Sequence, residues 1–189
     1  AGILEGPGGL AVVDPGPTTA LSGLEQALAA RGRSLADLRA VLVTHIHLDH
    51  SGAAGTLVRQ VPALRVFVHA RGAPHVVDPT RLVGSARRLY GDEMDRLWGD
   101  VPPVPRDRVV ALEGGETLDV VGRPVRVAYT PGHAVHHVCY FDEGSGVAFT
   151  GDVGGMALAG TTCALPPTPP PDIDVEAWQE SLGRIRRWR

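Results

Sequence analysis

The sequence has few cysteines, few aromatic residues and no long apolar run. Two of its 189 residues are cysteines, Cys139 and Cys163, too few for the disulfide framework of a small secreted domain. Such sparse thiols suit a reducing compartment, so a cytoplasmic location is expected. No apolar run approaches the roughly 18 residues that a membrane-spanning helix needs, so no membrane partner is expected.

An excess of charge of one sign is also lacking. Eighteen Lys and Arg residues stand against 21 Asp and Glu residues, which gives a formal net charge of −3 at pH 7. A nucleic-acid-binding surface concentrates positive charge to neutralise phosphates, and no such block occurs here. Nucleic acid is therefore not an expected partner, and a small molecule is the expected one.

The composition is that of an ordinary globular protein. Hydrophobic residues make up 43% of the chain and charged residues 21%, and the length fits the roughly 100 to 200 residues of one domain. We therefore expect residues 1–189 to form a single domain. Strand patterns and helix patterns alternate along the chain, which predicts a layered α/β fold with helices outside packed sheets.

Local patterns predict the individual elements. The first half is predicted to contain strands at 2–5, 10–13, 40–43 and 65–69, and helices around Leu21 to Leu28 (with Thr18 or Thr19 as cap), at 51–60 and at 70–77. Residues 78–107 interrupt this pattern with helical pieces at 81–90 and 93–98. The second half is predicted to contain strands at 108–112, 116–120, 124–129, 137–142 and 146–149, an extended proline-rich stretch at 166–171, and a helix from about Asp174.

Three histidines and an aspartate are concentrated directly after the predicted strand at 40–43. His45, His47 and Asp49 alternate along an extended turn, so their side chains can converge, while His50 enters from the start of the next helix. Neutral imidazole and carboxylate are zinc-type ligands. Packing gives no reason for this density of polar side chains after a buried strand, so the pattern predicts a metal site.

Two more strand ends carry a side chain of the ligand type. His133 ends the turn T-P-G-H after the strand at 124–129, and Asp152 ends T-G-D after the strand at 146–149. Either residue alone is more typical of a hydrogen-bonded turn. Loops at strand ends are where a scaffold presents reactive groups, so together with the first cluster they indicate one shared site.

In this order, T-H-I-H-L-D-H, T-P-G-H and T-G-D resemble the motifs of the metallo-β-lactamase superfamily. The resemblance covers nearly the whole chain, including the early turn V-D-P-G. It implies a four-layer αββα sandwich with a two-metal site at the mouth between the sheets. The ligands it implies are His45, His47 and His133 for one metal, Asp49 and His50 for the other, and Asp152 as a bridge. Residues implied to hold these ligands in orientation are Asp14, Thr44 and His137.

The resemblance also implies an activity, that of a glyoxalase-II-like or lactonase-like metallo-hydrolase. A histidine at position 47, where the flavodiiron oxygen reductases have glutamate, favours zinc, although iron or manganese also suits imidazole-rich sites. Two divalent ions would lower the pKa of bound water to about 7. The metal-bound hydroxide would cleave an ester-like bond, in a thioester or a lactone, with Asp49 orienting it and receiving its proton.

Two other functions remain open on the sequence. A mononuclear iron enzyme of the persulfide dioxygenase type shares these motifs. A non-catalytic zinc-binding domain is the second, although structural zinc sites are usually closed and commonly rich in cysteine. Substrate choice should come from residues 78–107, which can cover the metal mouth with Leu82, Leu89, Tyr90, Leu97 and Trp98. His69 and His75 flank the entrance of this segment and are either structural, in contact with substrate or linked to an extra metal.

The chain departs from the superfamily pattern near its C terminus. The second metal of the superfamily normally takes a further histidine from a turn beyond the aspartate, yet no histidine follows His137. The sequence ends on R-I-R-R-W-R, inside a predicted helix. We expect either that the chain is truncated before this turn or that its second metal site is incomplete.

Overall fold

A computed structural model describes residues 1–169 and 172–188. Its first sheet contains five strands, which lie side by side in sequence order. These strands are β1 (Gly2–Gly6), β2 (Gly9–Val13), β3 (Leu38–Leu42), β4 (Arg65–His69) and β5 (Val109–Leu112). Strands β1 and β2 form the predicted antiparallel hairpin, and the pairs that follow are parallel.

The second sheet is an antiparallel meander of four strands. Its members are β6 (Thr117–Val120), β7 (Arg123–Tyr129), β8 (Val138–Asp142) and β9 (Val147–Phe149). A separate two-stranded ribbon pairs β10 (Met156–Ala157) with β11 (Ala164–Leu165). This ribbon could not be predicted, because strands of two residues are too short to show an alternating pattern.

Seven α-helices occur within the described residues. They are α1 (Leu21–Ala29), α2 (Leu48–Ser51), α3 (Ala54–Gln60), α4 (Ala73–Val77), α5 (Thr80–Tyr90), α6 (Met94–Leu97) and α7 (Val175–Ile185). None of the helices in this part of the chain is long and apolar enough to cross a bilayer.

The predicted helix at 51–60 is interrupted, and its start lies earlier than expected. The backbone N–H of Ala53 donates to Gly16 O at 2.8 Å instead of continuing the helical ladder, so α2 and α3 are separate helices. The prediction that Thr18 or Thr19 caps α1 is wrong. Their hydroxyls donate to the carbonyl oxygens of Asp100 and Leu97, each at 2.7 Å, and Ala20 occupies the cap position.

Strand β3 shows why the structure has four layers. Ala40 and Leu42 point into a core between the two sheets, where Val127 of β7 and Tyr140 of β8 also lie. Val41 points the other way, into a second core. Because side chains alternate along a strand, a strand that is buried on both faces reads as a continuous apolar run.

Helices cover the outer face of each sheet. Leu24 and Leu28 of α1 and Leu57 of α3 belong to the core on the outside of the first sheet. Trp178 of α7 packs with Cys139 and Val153 on the outside of the second. The order of layers is therefore helix, sheet, sheet, helix, which is the predicted αββα sandwich.

The apolar side chains of α7 are only partly buried. Trp178 is enclosed, but Val175 is 61% exposed and Leu182 is 37% exposed. Ser181 is buried instead, because its hydroxyl donates to Pro131 O at 2.7 Å. Of the predicted proline-rich stretch, residues 166–169 belong to no helix or strand. Residues 170 and 171, like residue 189 of the predicted last helix, lie outside the described residues.

Candidate metal centre

Three loops at strand ends bring the predicted site residues together. The loop after β3 carries His45 and His47, the loop after β7 carries His133, and a 3₁₀ turn after β9 (Gly151–Gly154) carries Asp152. His133 Nε2 lies 3.2 Å from His45 Nε2 and 3.0 Å from His47 Nδ1. Asp152 Oδ2 lies 3.3 Å from His133 Nε2. One ligand atom from each of the four residues lies within 4.8 Å of the others.

The protonation of this cluster suits a cation. Burial, followed by the charges of neighbouring histidines, holds the pKa of His45 well below its ordinary value. Burial and the nearby His133 lower the pKa of His47 to about 4. Both imidazoles are therefore neutral near pH 7, which is the form that binds a metal. Tetrahedral zinc with bonds of about 2.0–2.1 Å needs nitrogens roughly 3.3 Å apart, so the three imidazoles fit a divalent ion.

A second group adjoins the first and shares Asp152 with it. His50 Nε2 lies 3.1 Å from Asp152 Oδ1 and 3.6 Å from Asp49 Oδ2, and His50 Nδ1 lies 2.9 Å from Asp14 Oδ2. Burial alone would lower the pKa of His50, but hydrogen bonds to Asp14 and Asp152 raise it to about 10. The carboxylates around this imidazole thus favour positive charge, and a metal ion held by His50 would have to displace its proton.

Asp14 and Thr44 fix the orientation of two of these histidines. Thr44 donates to Asp14 through its backbone N–H at 2.8 Å and through its hydroxyl at 2.7 Å. Because that hydroxyl hydrogen is committed, the Thr44 oxygen accepts from His45 Nδ1, 3.1 Å away. The lone pair of His45 Nε2 then faces the cluster, and Asp14 likewise holds His50 through Nδ1.

His137 contacts the cluster differently. Its ring stacks on that of His45, with centroids 5.1 Å apart, and its Nδ1 lies 2.9 Å from Thr130 Oγ1. Its Nε2 is buried and, among the described residues, has no hydrogen-bond partner. A Cβ on Gly151 would lie 2.6 Å from this Nε2 and 2.6 Å from Thr44 Oγ1. Only glycine therefore fits before Asp152 at this close approach.

A cavity of about 660 Å³ adjoins the cluster. His47, Asp49 and Asp152 lie on the side of the metal cluster. The predicted excursion at 78–107 supplies another part of the wall, through Leu82, Leu89, Tyr90 and Trp98. Leu97, which was expected among them, does not line it. The candidate centre is therefore open to a molecule bound against α5.

Comparison with known proteins identifies the family. A family model described as the metallo-beta-lactamase superfamily matches residues 1–187. The chain belongs to the metallo-β-lactamase superfamily. This confirms the resemblance carried by the three sequence motifs, and the superfamily's fold accounts for the αββα layers.

Two relatives illustrate the range of this superfamily. The metallo-beta-lactamase fold-containing protein ST1585 of Sulfurisphaera tokodaii is 33% identical over 147 residues, which cover 76% of this chain and 54% of that protein. A hydroxyacylglutathione hydrolase of a Synechococcus species is 34% identical over 142 residues, covering 75% of this chain and 42% of the enzyme. The matches thus span about half of each relative.

Solved structures of the superfamily share the fold. The crystal structure of ST1585 has a TM-score of 0.72 and 28% identity, covering 97% of this chain and 67% of that one. TTHA1623, crystallised in a di-iron-bound form, has a TM-score of 0.69 and 29% identity, covering 97% of this chain and 79% of that one. In this related protein, the shared fold therefore holds a pair of metal ions.

Two features of the candidate metal centre were not predicted from the sequence. His133 Nδ1 donates to Pro167 O at 2.9 Å, so the proline-rich stretch holds the third imidazole of the cluster. His136, which is 7% exposed, lines the cavity beside the cluster. A polar residue next to the T-P-G-H turn was a signal for His136, whereas a backbone carbonyl such as that of Pro167 leaves none.

The two histidines at the entrance of the excursion differ in their surroundings. His75 lines the cavity. His69 does not, and its ring stacks on Tyr129 with centroids 4.5 Å apart. Its Nδ1 accepts from the backbone N–H of Arg71 at 3.2 Å, and burial lowers its pKa. These contacts indicate a structural role for His69.

Proposed function

We propose that the chain is a metal-dependent hydrolase of ester-like bonds, of the thioester or lactone class. The observation that carries this proposal is the set of three converging imidazoles beside a cavity. Asp152 connects this set to His50 and the carboxylates around it. The hydroxyacylglutathione hydrolase relative supports the thioester class, because an acyl group on glutathione is a thioester. The proposed partner is a small molecule, the proposed unit is one domain over residues 1–189, and the two free cysteines support a reducing, cytoplasmic location.

The proposed ligands follow the two groups of side chains. His45, His47 and His133 would hold one metal, Asp49 and His50 the other, with Asp152 between them. Zinc is the proposed metal because neutral imidazole and carboxylate suit it, and the di-iron form of TTHA1623 makes iron the first competitor. When bound, such ions supply water of lowered pKa and a polarised carbonyl oxygen.

Asp49 is proposed to accept the proton of the attacking water and to pass it to the leaving group. Its side chain is 55% exposed and lines the cavity, so a water molecule and a substrate can both reach it. Attack by water forms a C–O bond at the acyl carbon and breaks the C–S or C–O bond to the leaving group. The proton that Asp49 takes from the water then goes to the leaving thiolate or alkoxide.

The test is a hydrolysis assay on protein loaded separately with zinc, iron or manganese. S-Lactoylglutathione and γ-lactones are the probes, with release of free thiol or acid as the readout and metal content measured in parallel. We expect hydrolysis in at least one metal form. Replacing Asp49 with Asn should lower kcat by about 10²- to 10⁴-fold, while Asp92→Asn, an exposed position away from the cavity lining, should leave it unchanged.

Other outcomes would contradict the proposal. Protein that is active with one iron, contains no zinc and consumes oxygen with a persulfide would support the dioxygenase alternative. Protein that binds zinc and is stabilised by it, but hydrolyses no probe in any metal form, would support a non-catalytic zinc-binding domain.

A further inference from the structure

His136 is a buried polar residue beside the cluster that the proposed chemistry leaves unused. Its ring stands edge-on to His47, with centroids 5.8 Å apart and planes at 89°, and lies parallel to His45 at 6.3 Å. It lines the cavity together with His47. A molecule placed against the candidate metal ligands would therefore meet His136 as well.

The hydrogen bonding of His136 fixes where its proton lies. The backbone N–H of Ile46 points to His136 Nδ1 at 3.4 Å, and an amide N–H can only donate. Nδ1 is therefore the acceptor, and a neutral imidazole with this contact carries its hydrogen on Nε2. Nδ1 of the ring is thus occupied by the Ile46 N–H, and Nε2–H remains as a free hydrogen-bond donor.

This Nε2–H group is available to a ligand. Within residues 1–169 and 172–188, no side chain or carbonyl accepts a hydrogen bond from it, and it is not among the fully enclosed polar atoms without a partner. Since His136 lines the cavity and its Nδ1 is held by the Ile46 N–H, Nε2 is the ring nitrogen left for a molecule in the cavity. Binding cavities generally combine apolar walls with a few such placed polar groups.

The wall formed by α5 is mainly apolar. Leu82, Ala86 and Leu89 recur on one face of that helix and all three line the cavity. Leu89 is 75% exposed, so its side chain is available to pack against hydrocarbon from a bound molecule. A ligand that fits both features has an apolar chain at α5 and a hydrogen-bond acceptor next to the cluster.

We propose that His136 positions the substrate by donating from Nε2 to an oxygen of its acyl group, with an apolar acyl chain lying against α5. This inference rests on the proposed hydrolase function and narrows its substrates to acyl compounds with hydrocarbon chains. His136 is assigned no proton transfer, and its effect should fall on substrate binding more than on kcat.

Two substitutions separate this role from a structural one. His136→Asn places an amide oxygen near the position of Nδ1, so it can still accept from Ile46, but its side chain is too short to donate from the position of Nε2. His136→Gln reaches that position with an amide N–H. If His136 positions substrate, Asn should raise KM for a hexanoyl thioester about 3- to 10-fold, the effect of one neutral hydrogen bond, and Gln should recover most of it. Metal content, measured for both, should stay at the wild-type value.

The opposite order would overturn the proposal. A wild-type KM in His136→Asn, together with impaired binding or folding in His136→Gln, would show that only the contact with Ile46 matters. Equal KM values in all three proteins would also refute it. Because wild-type activity is measured in the same assay, an inactive wild type marks a failure of the proposed function instead.

A binding measurement tests the proposed role of His136 independently of any hydrolysis. In zinc-treated protein with ¹⁵N-labelled histidine, long-range ¹H–¹⁵N spectra should show His136 with its hydrogen on Nε2. Hexanoate, which has the apolar chain and carboxyl oxygens of a hydrolysis product, should shift that Nε2 resonance and bind about 3- to 10-fold more weakly to His136→Asn. A hydrogen on Nδ1, or saturation with hexanoate without a shift at His136, would contradict the assignment.

Discussion

Gly132 joins the candidate metal centre to the outer helix, and replacing it tests how far the two depend on each other. Its φ of +129° is a backbone conformation that L side chains rarely adopt, and a Cβ there would lie 2.4 Å from both the N and Cα of Trp178. These atoms belong to the backbone of α7 and cannot rotate away. Gly132→Ala should therefore displace either α7 or the loop that carries His133.

Two effects contribute to the loss of folding free energy in Gly132→Ala, and a control variant separates them. Backbone strain at such a φ costs about 1–3 kcal/mol, and overpacking adds about 1–3 kcal/mol. Gly115 has a φ of +109° but open space where its Cβ would lie, so Gly115→Ala has only the strain. We expect about 4 kcal/mol of destabilisation for Gly132→Ala and about 2 kcal/mol for Gly115→Ala.

Urea unfolding of both variants and the wild type measures these free energies. A difference of about 2 kcal/mol corresponds to roughly 4–8 °C in Tm for a chain of this size. Since His133 follows Gly132 directly, Gly132→Ala should also lose zinc at a lower chelator concentration, whereas Gly115→Ala should retain it. Equal destabilisation by the two substitutions would refute the packing argument, and unchanged zinc retention in Gly132→Ala would refute the link to the site.

Two further predictions concern carboxylates. Asp14→Asn should weaken metal binding about 10- to 100-fold, because it removes the charge that holds His50 and Thr44; chelator competition that gives wild-type affinity would contradict this. Asp142 has no exposed side-chain area and pairs with Arg123; burial raises its pKa, but hydrogen bonds from Arg123 and Ser145 lower it overall. The resulting stabilisation is present above the unfolded-state pKa of about 3.9 and is lost as the pH falls through the lower folded-state value. Asp142→Asn should thus cost about 1.5–3 kcal/mol at pH 7, the range for hydrogen bonds to a charged group, and less below pH 4, and a pH-independent difference in urea unfolding would refute this.

Most of the fold could be predicted because its strands are either alternating or buried on both faces. The run at β3 is continuous because Val41 faces the helices while Leu42 faces the second sheet. The errors have a different origin. Thr18 and Thr19 are good capping residues in isolation, but their hydroxyls bond to the segment before β5, some 80 residues away, and local sequence contains no sign of such contacts.

The candidate ligands could be predicted because three short motifs contain all of them. His45 and His47 are neighbours in sequence, and the loops of His133 and Asp152 follow recognisable strands. The motifs do not predict the hydrogen bonds that backbone groups from distant segments make to the site. The contact of His133 with Pro167 O and that of His136 with Ile46 N depend on how loops pack, because a carbonyl or amide looks the same in every residue type.

The parallel pairing of β2 with β3 explains why Asp14 can support the centre at all. Val13 is paired with Leu42 in the register of these strands, so the chain leaves both strands at the same edge of the sheet. Asp14 N donates to Leu42 O at 2.9 Å, and a φ of +48° turns the chain at that point. The Asp14 carboxylate thereby reaches Thr44 and His50 together. Sheet register thus places Asp14 beside Thr44 and His50, whereas α5 lines the cavity from a separate segment. Substitutions on α5 that change substrate preference should therefore leave metal affinity intact.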